Sequence, residues 1–163
     1  MTQQQDAVDA IEAQWNRERP DLDTAPMAVF GRIYRITRAM GDEMERTYGR
    51  YGLSRGEFDV VAALRRSGEP YTLSPRELSA TLMLTSGGMT GRLDKLEKAG
   101  LVGRTPDPHD RRGLRVSLTE QGLDVVDRAV TAGLEVQHRG VEGLSPEELV
   151  LLGDLLRRVM AGL

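Results

Sequence analysis

Residues 72–122 constrain this chain more than any other stretch, because helix starts, stops and turns follow one another there in close order. Ser74-Pro75-Arg76-Glu77 is a capping box with proline at the first helical position, so a helix starts there. It carries Leu78 and Leu82 on one face and stops near Leu84. Thr85-Ser86-Gly87-Gly88 then supplies a polar cap and the small residues that allow close backbone approach, and a second helix follows at once. Met89, Leu93 and Leu96 recur on one face of that helix, and Gly100 is placed to end it with a left-handed cap whose apolar contact is Leu101. Leu101 and Val102 open a strand. Its partner, Leu114-Arg115-Val116-Ser117-Leu118, alternates apolar and polar, which buries one face of the hairpin and turns Arg115 and Ser117 away. The connection from Thr105 to Gly113 is charged and bears His109, Asp110, Arg111 and Arg112.

Helix, tight turn, helix and hairpin in that order make a winged helix-turn-helix. The fold expected is mainly α with a small β-hairpin, flanked by N- and C-terminal dimerisation helices. Such a pair of helices places the second in a major groove, while an arginine on the hairpin reaches the narrower, more electronegative minor groove. Charge is distributed to match. The chain carries a net −3, yet from Thr85 to Arg115 seven basic residues (Arg92, Lys95, Lys98, Arg104, Arg111, Arg112, Arg115) face four acidic ones (Asp94, Glu97, Asp107, Asp110). A local cationic excess is what phosphate binding requires, though ordinary solvated faces show similar imbalances.

These residues resemble the MarR family of bacterial transcription regulators: Leu78 through the Thr85–Thr90 helix start, Leu93-Asp94-Lys95-Leu96-Glu97, Gly100-Leu101-Val102, and Asp107-Pro108-His109-Asp110-Arg111-Arg112-Gly113 leading to Leu118-Thr119. The resemblance covers nearly the whole chain. It implies a double-stranded operator as partner, with Ser86, Gly87, Thr90 and Lys95 at the major groove and Asp110, Arg111 and Arg112 in the wing. Arg112 is then the wing-tip arginine and Asp110 the residue that holds it. Gly91 departs from the pattern, since several relatives carry a long basic side chain there.

The flanks bear on oligomeric state. Phe30, Ile33, Thr37, Met40 and Met44 follow one helical face. Leu123, Val126, Val130 and Leu134 line a long helix capped by Thr119, and Leu149, Leu152, Leu156, Val159 and Leu163 form a stripe after the Ser145-Pro146-Glu147-Glu148 capping box. One reading is an intramolecular helical core. The preferred reading is a homodimer whose terminal helices interlock and which presents its two recognition helices to successive major grooves, about 34–36 Å apart on a pseudo-palindrome. The expected organisation is one compact chain without a linker, with residues 1–50 and 123–163 as dimer and ligand-pocket arms around a DNA-binding lobe at 51–122.

Composition excludes several classes. The polar start Met1-Thr2-Gln3-Gln4-Gln5 and apolar runs far below ~20 residues argue against a signal peptide and a membrane span, so a cytoplasmic protein is expected. With zero cysteines, thiol sensing is excluded. His109 and His138 lie on different elements, which gives no metal site, and no nucleophile has a base and an orienting acid at recognisable spacing. Neither a cofactor nor catalysis is expected.

One segment remains. Val8, Ile11 and Trp15, the only tryptophan, fall at helical spacing before Pro20 and define an extra N-terminal helix. Trp15 reads either as a packing anchor or as part of a site. The arrangement resembles the urate-responsive branch of the MarR family, which implies a pocket for a purine anion formed by Trp15, Asp59, Arg92 and Arg104. Geometry bears separately on Arg92, which lies about 60° from Met89 around the helix and away from the exposed face of Gly87, Gly91, Asp94 and Lys98. An inward arginine needs a partner, and Asp59, on the helix begun by the Ser54-Arg55-Gly56-Glu57 capping box, is one candidate for both Arg92 and Arg104. The cluster reads either as a structural Arg-Asp-Arg network or as an anion site. Two guanidinium forks also suit a tricarboxylate or a phenolic acid, so a regulator answering one of those is the alternative, and a winged-helix interaction module that reads no sequence is the second. Tyr34, Tyr48, Tyr51 and Tyr71 and the methionines at 27, 40, 44, 83 and 89 read as packing residues.

Overall fold

An acidic N-cap begins the first helix. In the computed structural model, which describes residues 5–83, 88–108 and 110–163, with the backbone alone at 110–112, Asp6 caps α1 (Ala7–Glu18) by accepting from the amides of Val8 and Asp9. Asp9 returns the bond to the Asp6 amide, which closes a capping box. Arg32 of α2 (Ala25–Gly49) reaches both acids, at 2.9 Å from Asp6 and 2.5 Å from Asp9. Val8 is buried beside Gly31, where a Cβ would come within 3.3 Å of its side chain, and at the far end of α1 the Thr24 hydroxyl donates to Asn16 at 2.9 Å. Two compact units result, Met1–Glu43 and Met44–Leu163, with their boundary inside α2.

In the second unit the order is α3 (Arg55–Arg66), β1 (Thr72–Leu73), α4 (Pro75–Thr81), α5 (Met89–Lys98), β2 (Val102–Asp107), β3 (Asp110–Leu118), α6 (Glu120–Val141) and α7 (Pro146–Met160). The sheet is antiparallel with β3 in the centre, Thr72 opposite Ser117 and Thr105 opposite Arg115. Val60, Leu64, Leu78, Leu93, Leu96, Val116 and Val126 are buried, so α3 forms the spine on which both helices of the helix-turn-helix and the hairpin pack. Tyr48 stacks on Phe58 with ring centroids 3.7 Å apart, and Gly133 lets α6 pass that tyrosine closely. Among the described residues, no helix is long and apolar enough to cross a membrane, and no group of acidic and histidine side chains has the makings of a metal site.

Several expectations need correction. α4 ends at Thr81 rather than near Leu84, with Leu82 already extended at its C-cap. The N-cap of α5 is Gly88 at φ 75°, whose lack of a side chain leaves the cap to backbone conformation. Strands extend to Asp107 and from Asp110, so Thr105, Pro106, Asp107 and Asp110 of the expected wing loop are paired, with a register irregularity between Pro106 and Asp107. Leu114 is half exposed because its partner is Pro106, at the outer end of the hairpin beyond the helices. Arg115 and Ser117 turn away from the face that buries Val116, as the alternation requires, and find partners there: Thr72 of the neighbouring β1 donates to the Ser117 hydroxyl at 2.8 Å, and Arg115 reaches two carboxylates. On α6 the buried residues are Gly122, Val126, Ala129, Gly133 and Val136, while Val130 and Leu134 are exposed in a single chain.

Candidate nucleic-acid interface and ligand site

The recognition helix is held from behind at both ends. Its start depends on the α4–α5 connection, and α3 grips that connection twice. The Asp59 carboxylate accepts the Met83 amide at 3.2 Å, and Arg66 donates to the Thr81 carbonyl at 2.5 Å while lying 3.9 Å from Asp59. Asp59 is only 4% exposed. Its end is a Schellman motif: Gly100, at φ 73°, donates to Glu97 and Leu101 donates to Leu96 at 3.0 Å. What lies between presents an outward face of Thr90, Gly91, Asp94, Lys95 and Lys98, with Leu93 and Leu96 buried behind it. Lys95 is 3.6 Å from Glu57, the acid of the α3 capping box. Burial pushes the Glu57 carboxyl up, but hydrogen bonds from Ser54 and the Lys95 ammonium outweigh this and hold it below its ordinary range.

Thr90 and Lys95 thus lie on the exposed face expected for groove contacts. Ser86 and Gly87, His109, and the side chains of Asp110, Arg111 and Arg112 lie outside the described residues.

Of the four ligand candidates, Asp59, Arg92 and Arg104 fall in the second unit. Arg92 leans inward: a Cβ on Gly56 would lie 2.6 Å from its Nε and 2.9 Å from its Cζ, so its guanidinium rests on the bare backbone of α3. Gly56 and Asp59 are three residues apart and share a helix face, so Arg92 arrives on the side of α3 that carries Asp59. Arg104 goes elsewhere. Its Nη2 is 2.6 Å from Asp94 and its Nε 3.5 Å from Glu97, and the Nε, though buried, makes no hydrogen bond among the described residues. Arg104 is thus paired with α5. The reason is local, because Asp94 and Glu97 are i,i+3 neighbours on the helix whose end turns directly into β2. Trp15, on α1 in the first unit, is 41% exposed, as is its neighbour on that face, Ile11, at 44%.

Sequence reasoning missed Gly56, whose only signal is a glycine inside a capping box, and Arg115, whose signal is a cation at an alternating position of a strand. It also missed the Met83 amide, since a backbone donor leaves no trace in residue types.

Two helices in succession, the second with a polar outward face, and a three-stranded antiparallel sheet define a winged helix-turn-helix DNA-binding protein. Comparison with known proteins agrees. The sequence pattern of the MarR family matches residues 51–113. The HTH-type transcriptional regulator PecS of Dickeya dadantii (strain 3937) is 39% identical over 152 residues, covering 93% of this chain and 92% of the relative. The HTH-type transcriptional repressor YetL of Bacillus subtilis (strain 168) is 28% identical over 143 residues, 85% of each. Among solved structures, Sco3205, a MarR family regulator of Streptomyces coelicolor in complex with DNA, aligns with a TM-score of 0.77 at 25% identity, over 87% of this chain and 89% of that one. The chain belongs to the MarR family and is a DNA-binding transcriptional regulator, not an enzyme.

Proposed function

We propose that this regulator is a homodimeric repressor that binds a pseudo-palindromic operator and is released by a small planar anion, urate or a related oxidised purine. Residues 51–122 form the reading lobe, with Ser86, Gly87, Thr90 and Lys95 at the major groove and Asp110, Arg111 and Arg112 in the wing, and the flanking arms at 1–50 and 123–163 join the two copies. The anion is taken by Trp15, Asp59, Arg92 and Arg104. One observation carries the sensing half of this reading: Arg92, a residue of the recognition helix, turns its guanidinium away from the DNA side and onto Gly56 of α3.

The mechanism follows from what these groups now hold. Asp59 keeps the Met83 amide and Arg104 keeps Asp94 and Glu97, so both fix the mount of α5. An anion that draws Arg92 and Arg104 toward Asp59 exchanges those bonds for its own, tilting the reading helix. The guanidinium forks meet the anion's oxygens. Ligand and operator then oppose one another reciprocally, to the extent of the ligand's differential affinity for the two states.

Band-shift titration of the operator complex with urate, citrate and salicylate tests this on wild type, Trp15→Ala, Asp59→Asn and Arg92→Gln. Urate is expected to release the wild-type complex, and each variant to need at least about tenfold more, the equivalent of ~1.4 kcal/mol. Equal sensitivity in all four proteins discards the pocket, and release by citrate or salicylate alone transfers the site to a carboxylate. Gly56→Ala is the conservative probe. The new methyl displaces only the end of a flexible side chain, and alanine favours the helix by about 0.5–1 kcal/mol, so the melting temperature should hold or rise while the urate response weakens. An undiminished response at unchanged stability removes Arg92 from the mechanism.

A further inference from the structure

The wing of this protein is tied to the helix-turn-helix by two arginines that do different work. Arg104, at the root of β2, ties it to α5. Farther out, Arg115 of β3 donates from Nε to Asp107 at 2.8 Å and from Nη1 to Glu77 at 3.1 Å. Asp107 is the last residue of β2, just past the register irregularity, and its side chain is nearly buried. Glu77 closes the α4 capping box, and the same Oε2 that receives Arg115 accepts the Ser74 amide at 2.7 Å. One guanidinium therefore joins the outer end of the wing to the first turn of the first reading helix. The Glu77 carboxyl sits below its ordinary range, chiefly through the Ser74 amide and hydroxyl, with Arg115 adding to the effect.

We infer that Arg115 is a positioning residue for operator binding: by bridging Asp107 and Glu77 it sets the angle of the wing against α4, and so the distance at which Arg111 and Arg112 are delivered from the recognition helix. Arg115 faces two carboxylates, which makes it a poor phosphate ligand in its own right. Its value lies in geometry. A two-stranded ribbon reaching past the helices twists freely unless something holds its outer part, and the planar fork of an arginine fixes direction as well as distance. The inference rests on the wing entering the minor groove as proposed above.

The test exploits a conflict of sign. Glu77→Gln and Asp107→Asn each remove a negative charge from the DNA-binding lobe, and by the protein's field alone each would tighten binding to a polyanion. Glutamine also still closes a capping box, so α4 keeps its cap. If Arg115 positions the wing, both variants instead weaken binding. The probe is an operator selected from a random duplex pool by the wild-type protein, titrated by fluorescence anisotropy across a salt series, with thermal melts confirming the fold. Expected are three- to tenfold weaker binding for Glu77→Gln and for Asp107→Asn, and more than tenfold for Arg115→Met. The salt slope of Arg115→Met should fall by more than the ~0.9 that one lost phosphate contact explains. Binding that tightens or stays level in both carboxylate variants overturns the inference while leaving the operator reading intact. An Arg111→Ala/Arg112→Ala protein that binds as wild type removes the wing reading itself, and this inference with it.

Discussion

Gly122→Ala is expected to destabilise the DNA-binding lobe strongly. A Cβ at that position would sit 1.9 Å from the Leu101 carbonyl oxygen, 2.9 Å from its carbon and 3.2 Å from its Cα. All three are backbone atoms, and that backbone is fully committed. The Leu101 oxygen accepts the Thr119 amide at 3.1 Å, the Leu101 nitrogen closes the Schellman motif at the end of α5, and the Gly122 amide itself caps α6 through the Thr119 hydroxyl at 3.0 Å. Moving Leu101 away breaks the recognition helix's terminus; moving Gly122 away breaks the start of α6. In an unobstructed helix the substitution gains about 0.5–1 kcal/mol, so here the sign reverses, with a loss on the order of 3 kcal/mol or more. Gly91→Ala is the control, since among the described residues nothing lies within 4 Å of a Cβ there. Urea unfolding of both proteins decides the matter: a Gly122→Ala midpoint equal to wild type would mean that α6 docks differently on the end of α5.

The same region shows what could be read in advance and what could not. Helix starts were legible because a capping box is local: Ser54, Ser74 and Ser145 each cap as their sequences require, with glutamate three residues on closing the box. The Gly100 terminator was legible for the same reason, a left-handed residue followed by its apolar contact. Strand β1 was not, because two residues carry no periodicity and pair only once β3 is in place. Nor was the partner of Arg104. Charge chemistry makes Asp59, Asp94 and Glu97 equivalent, and the choice falls to which carboxylates the chain's turn from α5 into β2 brings alongside. The closeness at Gly56 and Gly122 was hidden for a related reason. A glycine in a helix advertises a missing side chain, but the atom that fills the space comes from a residue far away in the sequence. Thus local signals located the helices of the helix-turn-helix, while the tie of the wing through Arg115 and the lean of Arg92 depend on tertiary contacts.

The second large effect is expected at α7. This helix is stably begun, with Ser145 accepting the Glu148 amide and Pro146 in its first turn, yet among the described residues none of it is buried. Leu149, Val150, Leu151, Leu152, Leu155, Leu156, Met160 and Leu163 are between 38% and 92% exposed in a single chain. An isolated helix of this length is marginal in water, and an apolar stripe of this extent is a surface awaiting a partner. A second copy is the occupant that the proposed function calls for, because a lone winged helix reads one half-site and a dimer reads two. Leu152→Lys combined with Leu156→Lys puts two cations into that stripe without touching the cap, so the helix-turn-helix should fold while the two copies separate. Joining two reading heads raises apparent affinity by about 10²–10⁴ through effective concentration alone, and a monomer forfeits that gain. Sedimentation equilibrium should show a dimer for the wild type and a monomer for the variant, with operator affinity falling at least about a hundredfold. A variant that stays dimeric and binds the operator as wild type does would place the joint between copies elsewhere, and α7 would then need a different cover.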